Sequence, residues 1–536
     1  MSAAPCAART EVTGGAQRGR REEVLVAIEL DDISVGKVDF IEKNDLWTEE
    51  QKKAAEKVIG LVKEGNFRTV RVSWPDQHGI LRGKTLTANT FLHALRNGQD
   101  MQSAVLIMDT TNRIIFPLFR AGGGFGIPEM TGYPDMILVP DPLSFRELPW
   151  APGTGWCLSD AYFQNGKPVP FSSRHVLRHW LEKLAEEGYE YVSGLEVEWY
   201  ITKLEDPMLL PEQSGWPPEA PKVRAIAHGF QYLTETRQDE IDDILSILER
   251  HLQEVGLPLR TMEDEWGPGQ CEFTFDPRKG MESADNMVLF RTAAKQICRR
   301  NGYHATFMCR PMLENFFSSG WHMHESLRDI ATQQNAFTER GGGEWGTGEW
   351  LADVGKYFVG GLLEHAAAQC VFSTPTINGY KRFRPESFAP DKITWALENR
   401  AAYIRVVSAG PGDEAAHIEN RAGEPSANPY FYMASQIIAG LDGIQNKIDP
   451  GPMDEEPYIV DKPLLPRSLM EAMEALKADA VFNEALGKPF MEFITAVKQK
   501  EIEAYLASVT GEDGVVQEDH LTTVTPWEHQ EYFEVY

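Results

Sequence analysis

Cysteine is scarce in this sequence, and positive charge is scarcer than negative. The six cysteines, at positions 6, 157, 271, 298, 309 and 370, form no close pair and no C-x-x-C spacing. That excludes a small disulfide-stapled fold and a cysteine-built zinc site. The N-terminus carries no secretory pattern, so a reduced, cytoplasmic protein is expected. Lys and Arg number 52 against 80 Asp and Glu, for a formal charge of −28. Neither nucleic acid nor an anionic membrane is therefore expected as a partner. No apolar run reaches the length of a membrane span, and no internal repeat is visible. Two stretches are rich in glycine, Gly122 to Pro128 and Gly341 to Gly348. Neither lies between a strand and a helix, as a phosphate-binding loop does. What is present is a chain of 536 residues, 42% of them hydrophobic, enough for a large core and more than one domain.

Residues 1–22 mix Ala, Gly, Thr and Arg without periodicity and read as a mobile tail, inside an N-terminal stretch ending at residue 44. Ala54, Val58, Ile59, Leu61 and Val62 mark a helix between Asp45 and Gly65. Val70 to Trp74 alternates like a strand and turns through Pro75 to Gly79, and Met136 to Pro140 reads as another strand. Residues 45–160 thus form a first, small domain, and 161–536 a second. The second opens on a helix that Ser172 and Ser173 are expected to cap, with Val176, Leu177, Trp180, Leu181 and Leu184 as its apolar stripe. Further helices are expected to end at Gly256 and to cover about 284–300, 353–369, 429–447 and 467–479, with Pro207 to Pro221 as a surface loop.

Side chains two apart on a strand share a face. In Gly194 to Ile201 the apolar Leu195, Val197, Trp199 and Ile201 fill one face, and Glu196 with Glu198 fall on the other. Cys271, Phe273 and Phe275 alternate with Glu272. His322 and His324 share a face, as do Glu419 and Arg421 on either side of Asn420. So many carboxylates on one polar sheet face would repel each other, and ionised acids are costly to bury unless paired or bound to metal. Carboxylate-rich ligation with one or two imidazoles suits Mg²⁺ or Mn²⁺. A single such strand is more often an ordinary solvated face, but four in one chain are not. Arg382, Arg400, Arg405 and Arg421 supply guanidinium groups suited to carboxylate and phosphate ligands.

In order along the chain come Glu196-Val-Glu198, Gly267-Pro-Gly-Gln-Cys-Glu272, Gly320-Trp-His322-Met-His324-Glu-Ser326-Leu, Asn378-Gly-Tyr-Lys-Arg382, Asn399-Arg400-Ala-Ala-Tyr-Ile-Arg405 and Ile418-Glu419-Asn-Arg421. This series resembles that of the glutamine synthetase superfamily from about Asn66 onward, and within it the glutamate–amine ligases. The resemblance implies an α+β fold: a small β-grasp-type N-terminal domain, then a large catalytic domain with a curved antiparallel sheet backed by helices. It implies two or more Mg²⁺ or Mn²⁺ ions per site, one held by Glu198, Glu265 and Glu272 and the other by Glu196, His322 and Glu419. By the same carry-over Arg400 and Arg405 meet the ATP phosphates, and Arg400, Arg382 and Phe388 act in catalysis. His324 and Ser326 meet the nucleotide, and Arg382 and Arg421 the amino-acid carboxylate. A homo-oligomer of two stacked rings, a decamer or dodecamer, is also implied.

The implied reaction uses ATP to convert the γ-carboxyl of glutamate into an acyl phosphate, which an amine then attacks. Departures from the family pattern bear on which amine. The acidic flap residue six positions beyond the Arg of Lys-Arg is Phe388 here, and Glu386 lies two residues earlier. The Asn-Gly pair of the glutamate-binding loop before Gly320 is Phe317-Ser318. An Arg two residues before the metal-binding Glu419 is His417. The acid near Gly98 has only Gln102 as its nearest match. The two aromatic changes favour an apolar amine, aromatic or alkyl, with Phe388 as selector. Ammonia, as in glutamine synthetase itself, and a non-catalytic structural role are the alternatives.

Overall fold

The computed structural model describes residues 39–116, 119–120, 124–338 and 351–536. The proposed tail at residues 1–22 and the stretch Gly341 to Gly348 lie outside them. A short helix, α1 (Phe40–Lys43), buries Ile41 against Ile137, Val139 and Tyr162. Helix α2 (Glu49–Lys63) follows, started by a capping box in which Thr48 and Gln51 satisfy each other's backbone N–H groups.

The first sheet contains β1 (Thr69–Pro75), β2 (Leu81–Thr87), β3 (Gln99–Gln102), β4 (Asp135–Pro140), β5 (Arg146–Glu147) and β6 (Thr154–Tyr162). Its order is β2-β1-β6-β4-β3, with β5 added to β6. Val70 and Val72 of β1 pack with Val58 and Val62 of α2 and with Phe91 and Leu95 of α3 (Ala88–Asn97).

The second sheet is larger and almost wholly antiparallel. It is formed by β7 (Tyr189–Asp206), β8 (Lys222–Ala225), β9 (Leu259–Asp264), β10 (Gln270–Lys279), β11 (Tyr303–Thr306), β12 (Trp321–Asp329), β13 (Trp395–Leu397), β14 (Ile404–Val407) and β15 (His417–Asn420). The order is β13-β14-β15-β12-β7-β10-β9, and β8 and β11 also pair with β7. Only the short β13–β14 pair runs parallel. Strand β7 is the spine, and its alternation is as the residues require: Leu195, Val197, Trp199 and Ile201 are buried, while Glu196 and Glu198 are half-buried on the other face.

Helices α4 (Ser173–Glu186), α5 (Glu235–Glu254), α6 (Glu282–Arg300) and α9 (Pro429–Asn446) belong to this half of the chain, with α7 (Asp353–Glu364) and α8 (Ala366–Ser373) preceding α9. Phe290 of α6 meets Trp199, Phe273, Phe275 and Phe307 in an aromatic core behind the sheet. Helices α10 (Leu469–Ala478), α11 (Ala480–Val509) and α12 (Pro526–Tyr532) complete the chain.

Two details differ from expectation. Ser172 makes no capping bond at α4: its hydroxyl accepts the Trp74 indole N–H at 3.1 Å, and Ser173 donates to the Pro75 carbonyl at 3.3 Å. The serines therefore tie the helix to β1. The helix expected over 353–369 is broken at His365, whose ring nitrogens lie 2.6 Å from Asp479 and 3.0 Å from Asp442. The five described cysteines are free and buried. No described helix is long and apolar enough to cross a membrane.

Candidate active site

The register of the second sheet lines up the polar residues in one transverse row. Glu272 of β10 stands opposite Glu198 of β7, Glu196 of β7 opposite His322 of β12, and His324 of β12 opposite Glu419 of β15. Arg405 of β14 stands opposite Glu419. Directly paired residues on one face have β-carbons about 5 Å apart, so alternation plus register is enough to gather these groups.

Two groups of potential ligand atoms result, Glu196 with His322 and Glu419, and Glu198 with Glu272 and His322, each within 4.8 Å of one another. Glu265, at the turn between β9 and β10, is not within either group. It is buried beside them, where its carboxyl accepts the Trp266 backbone N–H at 3.2 Å. His322 therefore stands between the two groups, 2.6 Å from Glu196 and 3.7 Å from Glu198.

The electrostatics divide the row. Burial raises the carboxyls of Glu265 and Glu272, and the neighbouring acids add to it, bringing Glu265 up to about 8 and Glu272 up to about 10. Burial acts upward on Glu196 and Glu419 too, but there it is outweighed. His322 and His324 hold Glu196 well below the usual carboxylate range, and Arg421 with the same histidines brings Glu419 down to about 2. The β10 end thus gathers carboxyls with no protein cation beside them, which hold their protons for want of a counter-charge, and a divalent cation fits that place in donor type and in sign.

Arg421 pairs with Glu419, and Arg405 reaches both Glu419 (2.8 Å) and Glu398. Arg382 approaches His322 Nε2 at 3.2 Å and donates to the Arg421 carbonyl at 2.8 Å. Gly320 permits this approach, since a β-carbon there would lie 2.5 Å from an Arg382 terminal nitrogen. The Gly320 N–H donates to Glu198 at 3.0 Å. His324 bridges Glu196 (3.0 Å) and His417 (2.9 Å), and Ser326 follows on the same face of β12. Arg400 is exposed and makes no ion pair among the described residues. Phe388 is exposed at the tip of its loop, at φ 60°, and its carbonyl accepts from Arg421 at 3.3 Å.

The Phe317 backbone N–H donates to the Tyr200 hydroxyl at 2.8 Å, and its exposed side chain lines a cavity of about 580 Å³ with Phe230, Pro268 and Phe316. Ser318 offers its carbonyl to Gln270 at 3.3 Å. Gln102 is exposed on β3 in the first sheet. Several residues joined to the site carry no acid or base signal in the sequence. Gln270 donates to Glu198 and to the Ser319 hydroxyl, and Trp266 and Tyr232 stack at the mouth. Glu398, which holds Arg405, could have been found from its place one residue before the Asn399-Arg400 motif.

A two-centred acidic row flanked by arginines, on a curved antiparallel sheet, is the equipment of a metal-dependent phosphoryl-transfer ligase. Residues 170–514 match the glutamine synthetase catalytic domain. The chain is 44% identical over 505 residues to a γ-glutamylanilide synthase of Acinetobacter sp, covering 93% of this chain and 99% of that protein. It is 34% identical to the glutamine synthetase of Pyrococcus furiosus over 82% of this chain and 94% of that one. With a glutamate–isopropylamine ligase of Pseudomonas sp it shares 31% over 82% of this chain and 91% of the other. A solved GmaS/ADP complex superposes with a TM-score of 0.69 at 25% identity, covering 87% of this chain and 98% of that one. The chain belongs to the glutamine synthetase family, and like the enzymes of that family it is an ATP-dependent, amide-forming ligase.

Proposed function

We propose that this ligase joins the γ-carboxyl of glutamate to an organic amine, aromatic or alkyl, by way of γ-glutamyl phosphate. One observation carries the choice of amine: the flap position that holds an acid in ammonia-using relatives is Phe388, and its phenyl ring is exposed at the site. An ammonium ion must be desolvated, held and deprotonated, and a carboxylate on the flap does this. A phenyl ring offers none of it. It gives an apolar amine contact area and edge or face interactions instead.

Glu198, Glu265 and Glu272 would hold one Mg²⁺ or Mn²⁺ ion, and Glu196, His322 and Glu419 a second. Bound there, the cations neutralise charge on the transferring γ-phosphoryl group. Arg400 and Arg405 receive the ATP phosphates, with His324 and Ser326 beside the nucleotide. Arg405 and Arg421 are both engaged by Glu419 in this structure, so their turn toward substrate is coupled to metal loading of Glu419. Arg382 and Arg421 receive the amino-acid carboxylate, on the side of the row where Gly320 leaves room. Phe317, Ser318 and Gly320 form the loop beside it.

The test is a panel of amines supplied with ATP and glutamate, read as ADP formation. Organic amines are expected to exceed ammonia in kcat/KM, and Phe388→Glu to shift that ratio toward ammonia by roughly tenfold or more. A wild-type preference for ammonia over every organic amine sinks the proposal and restores a glutamine synthetase. Loss of all turnover in Glu386→Ala alone would move the selector role from Phe388 to Glu386.

A further inference from the structure

The mouth of the site carries an aromatic surface that none of the metal, phosphate or glutamate assignments uses. Tyr232, Trp266 and Phe388 come from three separate segments: the stretch before α5, the β9–β10 turn and the loop beyond Arg382. The Tyr232 and Trp266 rings are almost parallel, 3° apart in plane with centroids at 5.6 Å. Trp266 and Phe388 are 6.3 Å apart at 24°. All three are well exposed, by 42%, 44% and 69% respectively. Three large rings from distant segments, stacked in water rather than buried, form a surface for a flat partner.

The stack adjoins the acidic row. The Trp266 backbone N–H is the donor to Glu265. The Tyr232 hydroxyl is raised to about 12 by burial and then by the charges of Glu265 and Glu272, while Arg400 acts the other way. Glu265, Glu272 and Arg400 therefore lie within electrostatic range of this ring.

We propose that the aryl ring of an aromatic amine is taken between Trp266 and Phe388, with Tyr232 behind Trp266 holding the indole plane, and with the amino nitrogen directed to the Glu265 side. This rests on the organic-amine reading above and narrows it to a flat, aromatic substrate. A ring sandwiched between two others needs about 7 Å between them, twice the carbon–carbon contact distance of about 3.5 Å. The Trp266 and Phe388 ring centroids are 6.3 Å apart, so the two faces must part to admit a third ring. Phe388 and its neighbours Pro385 to Ser387 are all exposed, so an outward shift of this loop supplies the room. Tyr232 is a positioning residue, since Trp266 lies between it and the gap. A branched alkyl amine gains burial from such a slot but no face-to-face contact, so the indole distinguishes the two kinds of amine.

Steady-state kinetics of Trp266→Leu, Trp266→Phe and Tyr232→Leu with aniline and with isopropylamine, at saturating ATP and glutamate, test this. Trp266→Leu should raise the KM for aniline about tenfold more than the KM for isopropylamine, with kcat for aniline changing less than KM. Trp266→Phe, which keeps a ring face, should restore most of the loss. Tyr232→Leu should give a smaller shift in the same direction. Melting temperature and the KM for glutamate check that each variant is folded and binds its acid substrate. Equal KM changes for the two amines, or no rescue by Phe, overturn the sandwich while leaving the organic-amine reading standing. Turnover of isopropylamine without turnover of aniline does the same, and turnover of ammonia alone overturns both.

Discussion

Glu272 is the residue at which the sequence and the structure press hardest on each other. It is half-buried opposite Glu198, and burial with four neighbouring acids raises its carboxyl. Replacing it by Ala should lower kcat on the order of 10³-fold at ordinary Mg²⁺, because a site cation is worth several kcal/mol to the transferring charge. The cation-free melting temperature should stay level or rise, since a repelled acid has been removed. Full activity in the variant would take Glu272 out of the site. Glu325 makes a contrasting case on the core side of β12. It is fully buried, its carboxyl accepts the Tyr191 hydroxyl at 2.6 Å, and burial lifts it to about 8. A raised folded value means the native state holds the proton more tightly than the unfolded chain. Stability is then lost as pH rises from the ordinary carboxyl range through 8. Glu325→Gln keeps the acceptor without the charge, so its melting temperature should equal wild type near pH 5 and exceed it near pH 9. Parallel curves across that range would contradict the assignment.

At the scale of elements, one buried cation links the two halves of the chain. Arg174, in the first turn of α4, bonds Asp160 of β6 at 2.9 Å, Asp141 at 3.0 Å and Asp285 of α6 at 2.7 Å. Burial acts to raise Asp160, but Arg174 and Arg178 outweigh it and hold its carboxyl well below the usual range. Arg174→Leu leaves buried Asp141 without its ion-pair partner and Asp160 with Arg178 alone, and should cost about 3–5 kcal/mol, read as the denaturant midpoint. Because Asp160 is depressed, its contribution is present above the ordinary Asp value and is lost as pH falls below it. The difference between variant and wild type should therefore shrink in acid. None of this was legible in the sequence, where Arg174 is one charged residue in an amphipathic helix and its partners lie 14 to 111 residues away. What was legible were the strands and their polar faces, since alternation in β7, β10 and β12 is local and register then follows from burial of one face. The row Glu272, Glu198, Glu196, His322 and Glu419 followed from it. Trp266 and Tyr232 were missed because an aromatic residue beside an acid reads as packing, and their stack needs distant segments to meet. Helix α11 was missed because Gly487, at φ 72°, and Pro489 interrupt its period near the start.

At the scale of the molecule, five of the large apolar side chains left in water belong to two segments that meet. Ile114 and Phe119 follow the turn that begins at Met108, and Leu209, Leu210 and Trp216 lie on the loop between β7 and β8; all five are exposed. The two segments are joined: the Trp216 indole donates to the Thr111 carbonyl, and Arg113 donates to the Trp216 carbonyl at 3.2 Å. Gln530, on α12, adds bonds to the Pro217 and Pro218 carbonyls at 3.2 and 3.1 Å. Such a built but unburied apolar surface is what a contact between copies requires. We expect it to face a neighbouring subunit, with the first sheet of one chain closing over the catalytic sheet of the next. Repeated head-to-tail contacts that close by rotation give a ring, and two stacked rings of ten or twelve subunits in all are the expected assembly. Sedimentation should show it. The double substitution Leu209→Asp with Leu210→Asp, confined to an exposed loop, should break the rings without unfolding the chain and lower activity with them. A fully active monomer, in wild type or variant, would mean that the first sheet serves the catalytic sheet of its own chain.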